Sequence, residues 1–221
     1  MKQWHLKNTY RDYTPEEVLD ILREEHRLFS FIDCEVDDDM EITPEMLVYY
    51  WRTGGDFLPW GNLYKALNFK FKIDQSYSAW KKAIYPEKRK RIWDMCVFIS
   101  QHAKKEVIHP IRILGKECLS AAIFLTLKQN LLNRGIEEEY LKPSTNLIPF
   151  LDKHFPYIIT EILLTGAKTF DSLKPTLRNN ISFWQKINIF NPNRYYIDTG
   201  SIKTFGDLSR KIALEYKIST D

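Results

Sequence analysis

One apolar run constrains the fold of this chain more than any other feature: CLSAAIFLTL, from Cys118 to Leu127. A helix over this run is apolar on nearly every side, which is typical of a helix surrounded by other elements. The run is bounded by Lys116 and Lys128 and is far shorter than the ~20 apolar residues that cross a bilayer. Pro110 and Gly135 mark the ends of the longer helical pattern around it. We therefore expect a helix that Pro110 opens at the centre of a globular core.

Capping residues predict further helices on both sides of this segment. The sequence TPEE, from Thr14, has the spacing of a capping box with proline at the first helical position. A similar sequence begins at Thr43, but no third copy follows, so the two are interpreted as independent helix starts. Apolar residues at intervals of three and four predict another helix that ends near Lys105, and Thr204 is the expected N-cap of a last helix.

The C-terminal third has a different character. Pro143, Pro149 and Pro156 leave room only for brief helices. The segments KINIF and RYYID, at 186–190 and 194–198, have the composition of short strands and are separated by a turn sequence. We therefore expect a mainly α, multi-helix globular domain with a short β-hairpin near residues 186–198. One domain over residues 1–221 is favoured, and a subdivision near 136–145 is the alternative.

Composition narrows the class of protein. Hydrophobic residues make up 44% and aromatic residues 14% of the chain, so most of the aromatic surface must be packed or engaged in binding. The three cysteines are widely spaced and form no CxxC pair, which indicates free thiols in a reducing compartment. The first residues contain no apolar signal-peptide core. These features predict a soluble cytoplasmic protein that has no cofactor and no contact with a membrane.

The most distinctive charged feature is the stretch KKAIYPEKRKRIW, from Lys81 to Trp93. Its charge exceeds the net +3 of the whole chain, so the remaining residues are acidic overall. Phosphate neutralisation dominates nucleic-acid affinity, and aromatic side chains can stack on bases. The stretch is therefore a candidate nucleic-acid-binding segment. Its six cations are Lys81, Lys82, Lys88, Arg89, Lys90 and Arg91.

The alternative interpretation of this stretch is a solvated helix start, and the sequence favours it. The segment from Asp33 to Glu45 contains seven acids and no base, so it offers an internal partner for the cations. No signature of a nucleic-acid-binding family accompanies the stretch. The acidic segment itself lacks the glycine and the final glutamate of an EF-hand calcium loop.

Three residues have spacing that suggests a metal site. His102, Glu106 and His109 fall at i, i+4 and i+7, which on a helix would place two imidazoles and a carboxylate on one face. Pro110 weakens this pattern because it disfavours helical backbone at His109. Glycine-rich nucleotide loops, GxSxG and HExxH are absent from the sequence. A metal-dependent hydrolase at His102 and Glu106 is therefore the third functional hypothesis, and enzymatic activity is not favoured.

A last candidate is the aromatic segment WRTGGDFLPWGNLY, which surrounds a Gly-rich turn. This composition suits a rigid binding surface, although aromatic residues that cap a core give the same pattern. The sequence therefore favours a helical interaction or regulatory module that binds a protein partner, with nucleic-acid binding as the first alternative. The candidate partner-binding residues are Trp51, Asp56, Phe57, Trp60 and Tyr64.

Overall fold

The computed structural model describes residues 6–30, 32–33, 35–55, 57, 59–136, 141–171, 173–177 and 195–218. Within these ranges the chain forms eight helices and three antiparallel pairs of short strands. The prediction of a mainly α fold with a small β component is therefore confirmed.

The elements follow one another with short connections. The helices are α1 Pro15–Phe29, α2 Val48–Gly54, α3 Trp60–Phe71, α4 Tyr77–Ile84, α5 Ile92–Ser100, α6 Leu119–Asn133, α7 Leu147–Leu164 and α8 Phe205–Ile218. The strands are β1 Thr9–Asp12, β2 Lys104–Val107, β3 Ile111–Ile113, β4 Lys116–Cys118, β5 Lys174–Leu177 and β6 Tyr195–Asp198. β1 pairs with β2, β3 with β4, and β5 with β6.

The central helix starts later than its apolar pattern suggests. α6 begins at Leu119, so the expected start at Pro110 is wrong. β3 and β4 form a hairpin in the residues between them. The two-residue turn of this hairpin, Leu114-Gly115, has φ angles of 49° and 82°, and two positive φ angles are what a type I′ turn requires. The predicted end is confirmed, because α6 stops at Asn133 and Gly135 follows with a φ of 82°.

The helix expected to continue to Lys105 is also shorter. α5 ends at Ser100, and after a turn the chain enters β2, which pairs with β1 near the N-terminus. Lys105 Nζ donates to Glu17 Oε1 at 2.7 Å and so ties β2 to the start of α1. The pairing with β1 is a long-range interaction, and it determines the conformation of this segment more strongly than local helical periodicity does.

The C-terminal third contains both features that the sequence predicts there. α7 is interrupted at His154, which has non-helical φ and ψ angles, two residues before Pro156. β6 confirms a strand within RYYID, and it pairs with β5, which the sequence analysis did not predict. The other predicted strand, at 186–190, lies outside the described residues.

The buried apolar side chains form one cluster to which all eight helices contribute. Its largest fully buried members include Trp51 of α2, Trp80 of α4 and Phe205 of α8. Trp80 Nε1 donates to Asn68 Oδ1 at 2.7 Å, so the indole nitrogen is satisfied inside the core. α6 packs against α7 and α8, while α1 packs against α5.

One backbone motif ties the start of α2 to the start of α5. Val48 N donates to Lys90 O at 2.9 Å, and Ile92 N donates to Met46 O at 2.8 Å. These bonds satisfy amide groups at the first turns of both helices, which have no partners within the helix. The two helix starts therefore lie side by side and support each other.

The same motif occurs again between α7 and α8. Leu147 N donates to Lys203 O at 2.9 Å, and Phe205 N donates to Thr145 O at 3.2 Å. A proline accepts one further bond in each copy: Pro44 O from Trp93 N, and Pro143 O from Gly206 N. The fold therefore contains an internal structural repeat. The sequence analysis did not detect it, because it compared helix starts near Thr14 and Thr43 instead.

Candidate nucleic-acid interface

The six cations of the basic stretch lie at the end of α4, in the following turn and at the start of α5. All of them are exposed except Lys90, which is half-buried. The one acid within the stretch, Glu87, accepts a charge-assisted bond from Arg52 at 2.9 Å. Arg52 therefore neutralises Glu87, and the charge of the six cations is left without an acid from their own segment.

No described residue forms an ion pair with any of these six cations. Acids elsewhere do pair with basic side chains, as in Glu17 with Arg11 and Lys105, and Glu25 with Lys70. The seven acids between Asp33 and Glu45 do not contact the basic stretch through ion pairs. Two of them instead accept bonds from backbone amides within their own loop. The internal neutralisation that the sequence suggested is therefore not present.

Tyrosine side chains lie among the exposed cations. Lys88 Nζ is 4.8 Å from the ring centroid of Tyr49, and Lys81 Nζ is 5.3 Å from that of Tyr85. Tyr50 is 60% exposed and Tyr85 is 56% exposed. Tyr77 lies one helical turn before Lys81 on α4 and is also exposed. The resulting surface consists of Tyr49, Tyr50, Tyr77, Tyr85, Lys81, Lys82, Lys88, Arg89 and Arg91, and is called the basic–tyrosine surface below.

The internal repeat shows that the fold does not require these cations. In the second copy, Ser201, Ile202 and Thr204 stand at the positions of Lys88, Arg89 and Arg91. The equivalent backbone bonds form in both copies, although only the first copy carries a cluster of cations. The positive charge is therefore a property of this surface and is not needed to start a helix.

The aromatic segment divides between the core and a small pocket. Trp51 is 1% exposed, and Phe57 packs on it with ring centroids 4.5 Å apart. Trp60 and Tyr64 lie farther along and are half-buried. Asp56 lies outside the described residues. Packing therefore accounts for Trp51 and Phe57, while binding of a protein partner by this segment stays a prediction.

Trp60 and Tyr64 meet the basic stretch at a pocket of about 130 Å³. The ring of Tyr64 contacts that of Tyr77, with centroids 5.3 Å apart. Trp60 Nε1 is buried and donates to no acceptor among the described residues. The structure thus brings together two segments that the sequence presented separately. The pocket is lined by Trp60, Tyr64, Tyr77, Trp80, Lys81, Ile84 and Tyr85.

The three residues of the suggested metal site do not share a helix face, because none of them lies in a helix. His102 Nδ1 is 2.8 Å from Phe98 O, and His109 Nε2 is 3.0 Å from Thr9 Oγ1. Glu106 lies between them on β2. The helical geometry behind the hydrolase hypothesis is therefore wrong. Within the described ranges, no group of three or more His, Cys, Asp and Glu side chains could hold a metal ion.

The largest cleft, with a volume of about 390 Å³, lies between the β1–β2 pair and α3, α6 and α7. At one side of it Glu161 has a side chain only 1% exposed and pairs with Arg134 at 2.5 Å and Lys72 at 3.0 Å. At the other side Glu106 accepts bonds from the Asn8 and Asn130 amides. Sequence reasoning did not associate these residues, since they are far apart in the chain and share no motif.

Two other features bear on possible chemistry. Burial raises the pKa of the Cys96 thiol to about 12, so this thiol is a poor nucleophile at neutral pH. None of the helices in the described part of the chain is both long and apolar enough to cross a membrane. No protein-family model, curated protein or solved structure matches this chain.

Proposed function

We propose that this protein binds single-stranded nucleic acid through the basic–tyrosine surface. The observation that carries the proposal is a group of exposed cations without ion-pair partners among the described residues, interleaved with exposed tyrosines. Cations bind phosphates at any sequence, and aromatic rings stack on unpaired bases. Both groups lie on the same surface here.

The surface fits a single strand better than a duplex. Stacking requires bases that are not already stacked in a double helix, and the exposed rings of Tyr50 and Tyr85 offer platforms of this kind. The cations lie at a helix end, a turn and a helix start, so they do not form one helical face suited to a major groove. The free thiols of Cys96 and Cys118 support a cytoplasmic location as part of this proposal.

Fluorescence anisotropy with labelled single-stranded DNA and RNA tests the phosphate contacts. The variant Lys81→Gln/Lys82→Gln/Lys88→Gln/Arg89→Gln removes four exposed cations. Wild type should bind more weakly as salt rises, and the variant should reduce the slope of log K against log salt by about 2 to 3, at about 0.7 per lost phosphate contact. Absence of binding by wild type even at about 50 mM salt would overturn the proposal.

A matched variant distinguishes this surface from general attraction to positive charge. Lys116, Lys142, Lys168 and Arg112 are exposed and form no ion pair with described residues. Changing these four to Gln alters the net charge by the same amount at a distance in sequence from the basic stretch. The proposal requires this control to keep its affinity and its salt slope. An equal loss in both variants would show nonspecific attraction.

A second measurement tests stacking. Tyr85→Ala should lower affinity for a single strand by about 1–3 kcal/mol, the contribution of one stacked base. Tyr10→Ala provides the control, since Tyr10 is also exposed but belongs to β1. If both substitutions leave affinity unchanged, Tyr85 does not stack on bases. Binding would then rest on the cations alone.

A further inference from the structure

The largest cleft contains two carboxylates in contrasting surroundings. Glu161 is neutralised by Arg134 and Lys72, as described above. Glu106 receives hydrogen bonds only from neutral amides, from Asn8 Nδ2 at 2.7 Å and Asn130 Nδ2 at 2.9 Å. No cation among the described residues pairs with it. The cleft therefore holds one carboxylate whose charge is not compensated.

The nearby lysines are already engaged by other acids. Lys104 lies two residues from Glu106 on β2 but pairs with Asp12, its cross-strand neighbour. Lys105 pairs with Glu17. Neither lysine therefore supplies a counter-charge to Glu106.

The uncompensated charge also acts on its neighbour across the strands. Tyr10 lies opposite Glu106 in the β1–β2 pairing. The negative charge of Glu106 is the main cause that raises the pKa of the Tyr10 phenol, with a smaller contribution from burial. The field of Glu106 thus reaches the mouth of the cleft, where an incoming ligand would meet it.

Acceptors outnumber donors at this end of the cleft. Each carboxylate oxygen can accept about two hydrogen bonds, and Glu106 receives one at each oxygen from the two asparagines. Asn8 donates to both Glu106 and Thr126. Its own Oδ1 is buried and accepts no bond from a described residue. An ammonium group supplies three donors and one positive charge, and it has no acceptor.

We propose that this cleft binds a small molecule that carries a protonated amino group, with the ammonium paired to Glu106. The two asparagine amides hold the carboxylate in place, so a ligand meets an ion pair partner that is already oriented. The carbon skeleton of the ligand would contact apolar side chains that line the cleft: Phe71, Ile108, Leu127 and Leu164. This proposal is independent of nucleic-acid binding, because the two sites share no residue.

The test uses the intact chain without nucleic acid and three probes: 1-aminobutane, 1,4-diaminobutane and the uncharged 1,4-butanediol. At an amine concentration about one hundred times Kd, the Tm of the wild type should rise by roughly 5 °C. Butanediol should not change it. Glu106→Gln should bind either amine at least about tenfold more weakly, because the charge pair is lost. Glu117→Gln, which changes an exposed carboxylate of β4, should bind like wild type.

Side-chain amide NMR signals of Asn8 and Asn130 provide a readout on the wild type itself. Amines should shift both signals because the two amides donate to Glu106, so the result does not depend on whether Glu106→Gln folds. Three outcomes would each overturn the proposal. These are unchanged Tm and amide signals with both amines, equal effects of butanediol and the amines, or undiminished amine binding by a folded Glu106→Gln variant.

Discussion

At the level of single residues, Glu17 connects three parts of the chain. It accepts bonds from Arg11 at 2.5 and 2.7 Å, from Lys105 at 2.7 Å and from the backbone of Thr14 at 3.0 Å. Partial burial is the largest influence on its pKa and opposes ionisation. The bonds from Arg11, Lys105 and Thr14 together outweigh burial, and they lower the pKa to about 2.

Glu17 should therefore make folding stability dependent on pH. Because its pKa is lower in the folded chain than the usual 4.5, its stabilising effect is complete above that value and is lost as pH falls toward 2. Glu17→Gln should lower the free energy of unfolding by about 2 kcal/mol at neutral pH. Urea unfolding of both proteins from neutral pH to about pH 3 should show this difference shrinking.

Glu16→Gln is the matched control for this experiment, since Glu16 is exposed in the same helical turn. It should change stability by less than about 0.5 kcal/mol at any pH. A difference between Glu17→Gln and wild type that stays constant as pH falls would contradict the assignment of a lowered pKa.

Cys96 and Cys118 should differ in reactivity. Burial raises the pKa of Cys96 to about 12 and keeps reagents away from it, whereas Cys118 is half-buried at the end of β4. Since the thiolate is the reacting species, iodoacetamide should label Cys118 well before Cys96 in the native protein. Peptide mapping by mass spectrometry measures the two rates, and urea should equalise them. Labelling of native Cys96 at its rate in urea would contradict the prediction.

At the level of the elements, capping residues predicted helix starts well. Thr14 accepts a bond from Glu17 N and begins α1 at the predicted position. Thr204 likewise accepts from Asp207 N at 3.1 Å, while Thr204 N donates to the Asp207 carboxylate at 2.9 Å. These bonds form within four residues, so local sequence is sufficient to specify them.

The cap of α8 can be tested by two substitutions at one position. Thr204→Ala removes the side-chain oxygen that caps Asp207 N and should lower the free energy of unfolding by about 1 kcal/mol. Thr204→Ser keeps that oxygen and should cost less than about half as much. Urea unfolding compares the two variants. Equal losses in both would show that the methyl group of Thr204, and not its hydroxyl, stabilises the helix start.

Elements that depend on distant partners were predicted poorly. β2 follows the α5 pattern directly, yet its conformation is determined by pairing with β1 almost one hundred residues earlier. The apolar pattern before α6 is ambiguous for the same reason, because a short apolar run can suit either a strand or a helix. Gly115 was the one local signal for the β3–β4 hairpin.

At the level of the whole molecule, Glu161 links three helices. Its partners, Arg134 and Lys72, are the C-cap residues of α6 and α3. Arg134 also donates to Phe69 O at 3.1 Å, and its guanidinium lies 4.2 Å from the Phe69 ring. One buried carboxylate on α7 thus orients the ends of two other helices.

Removing Arg134 should be much more costly than removing Lys72. Arg134→Met leaves a buried carboxylate with one partner that is 45% exposed, and loss of one member of a buried pair costs about 3–5 kcal/mol. Lys72→Met should cost about 1 kcal/mol or less, because water can reach the lysine. Urea unfolding measures both. Adding Glu161→Leu to Arg134→Met should restore part of the loss, and failure to do so would show that lost packing is the cause.

The candidate site was predicted in its parts but not in its arrangement. The sequence identified the cations of the basic stretch and, separately, Trp60 and Tyr64. It did not show that Lys81 and Tyr85 lie beside these aromatics, or that Tyr49 and Tyr50 border the same surface. It also suggested that the acidic segment neutralises the cations, which does not occur among the described residues.

The sequence by itself determined the mainly α class, the capped helix starts, the interruption of α7 and the location of the positive charge, because these depend on periodicity, caps, proline and composition. Tertiary structure alone decided the strand pairs, the repeated helix-start motif, the partners of Glu161 and the uncompensated charge of Glu106. Those features join residues distant in the chain, and no local pattern specifies which distant groups will meet.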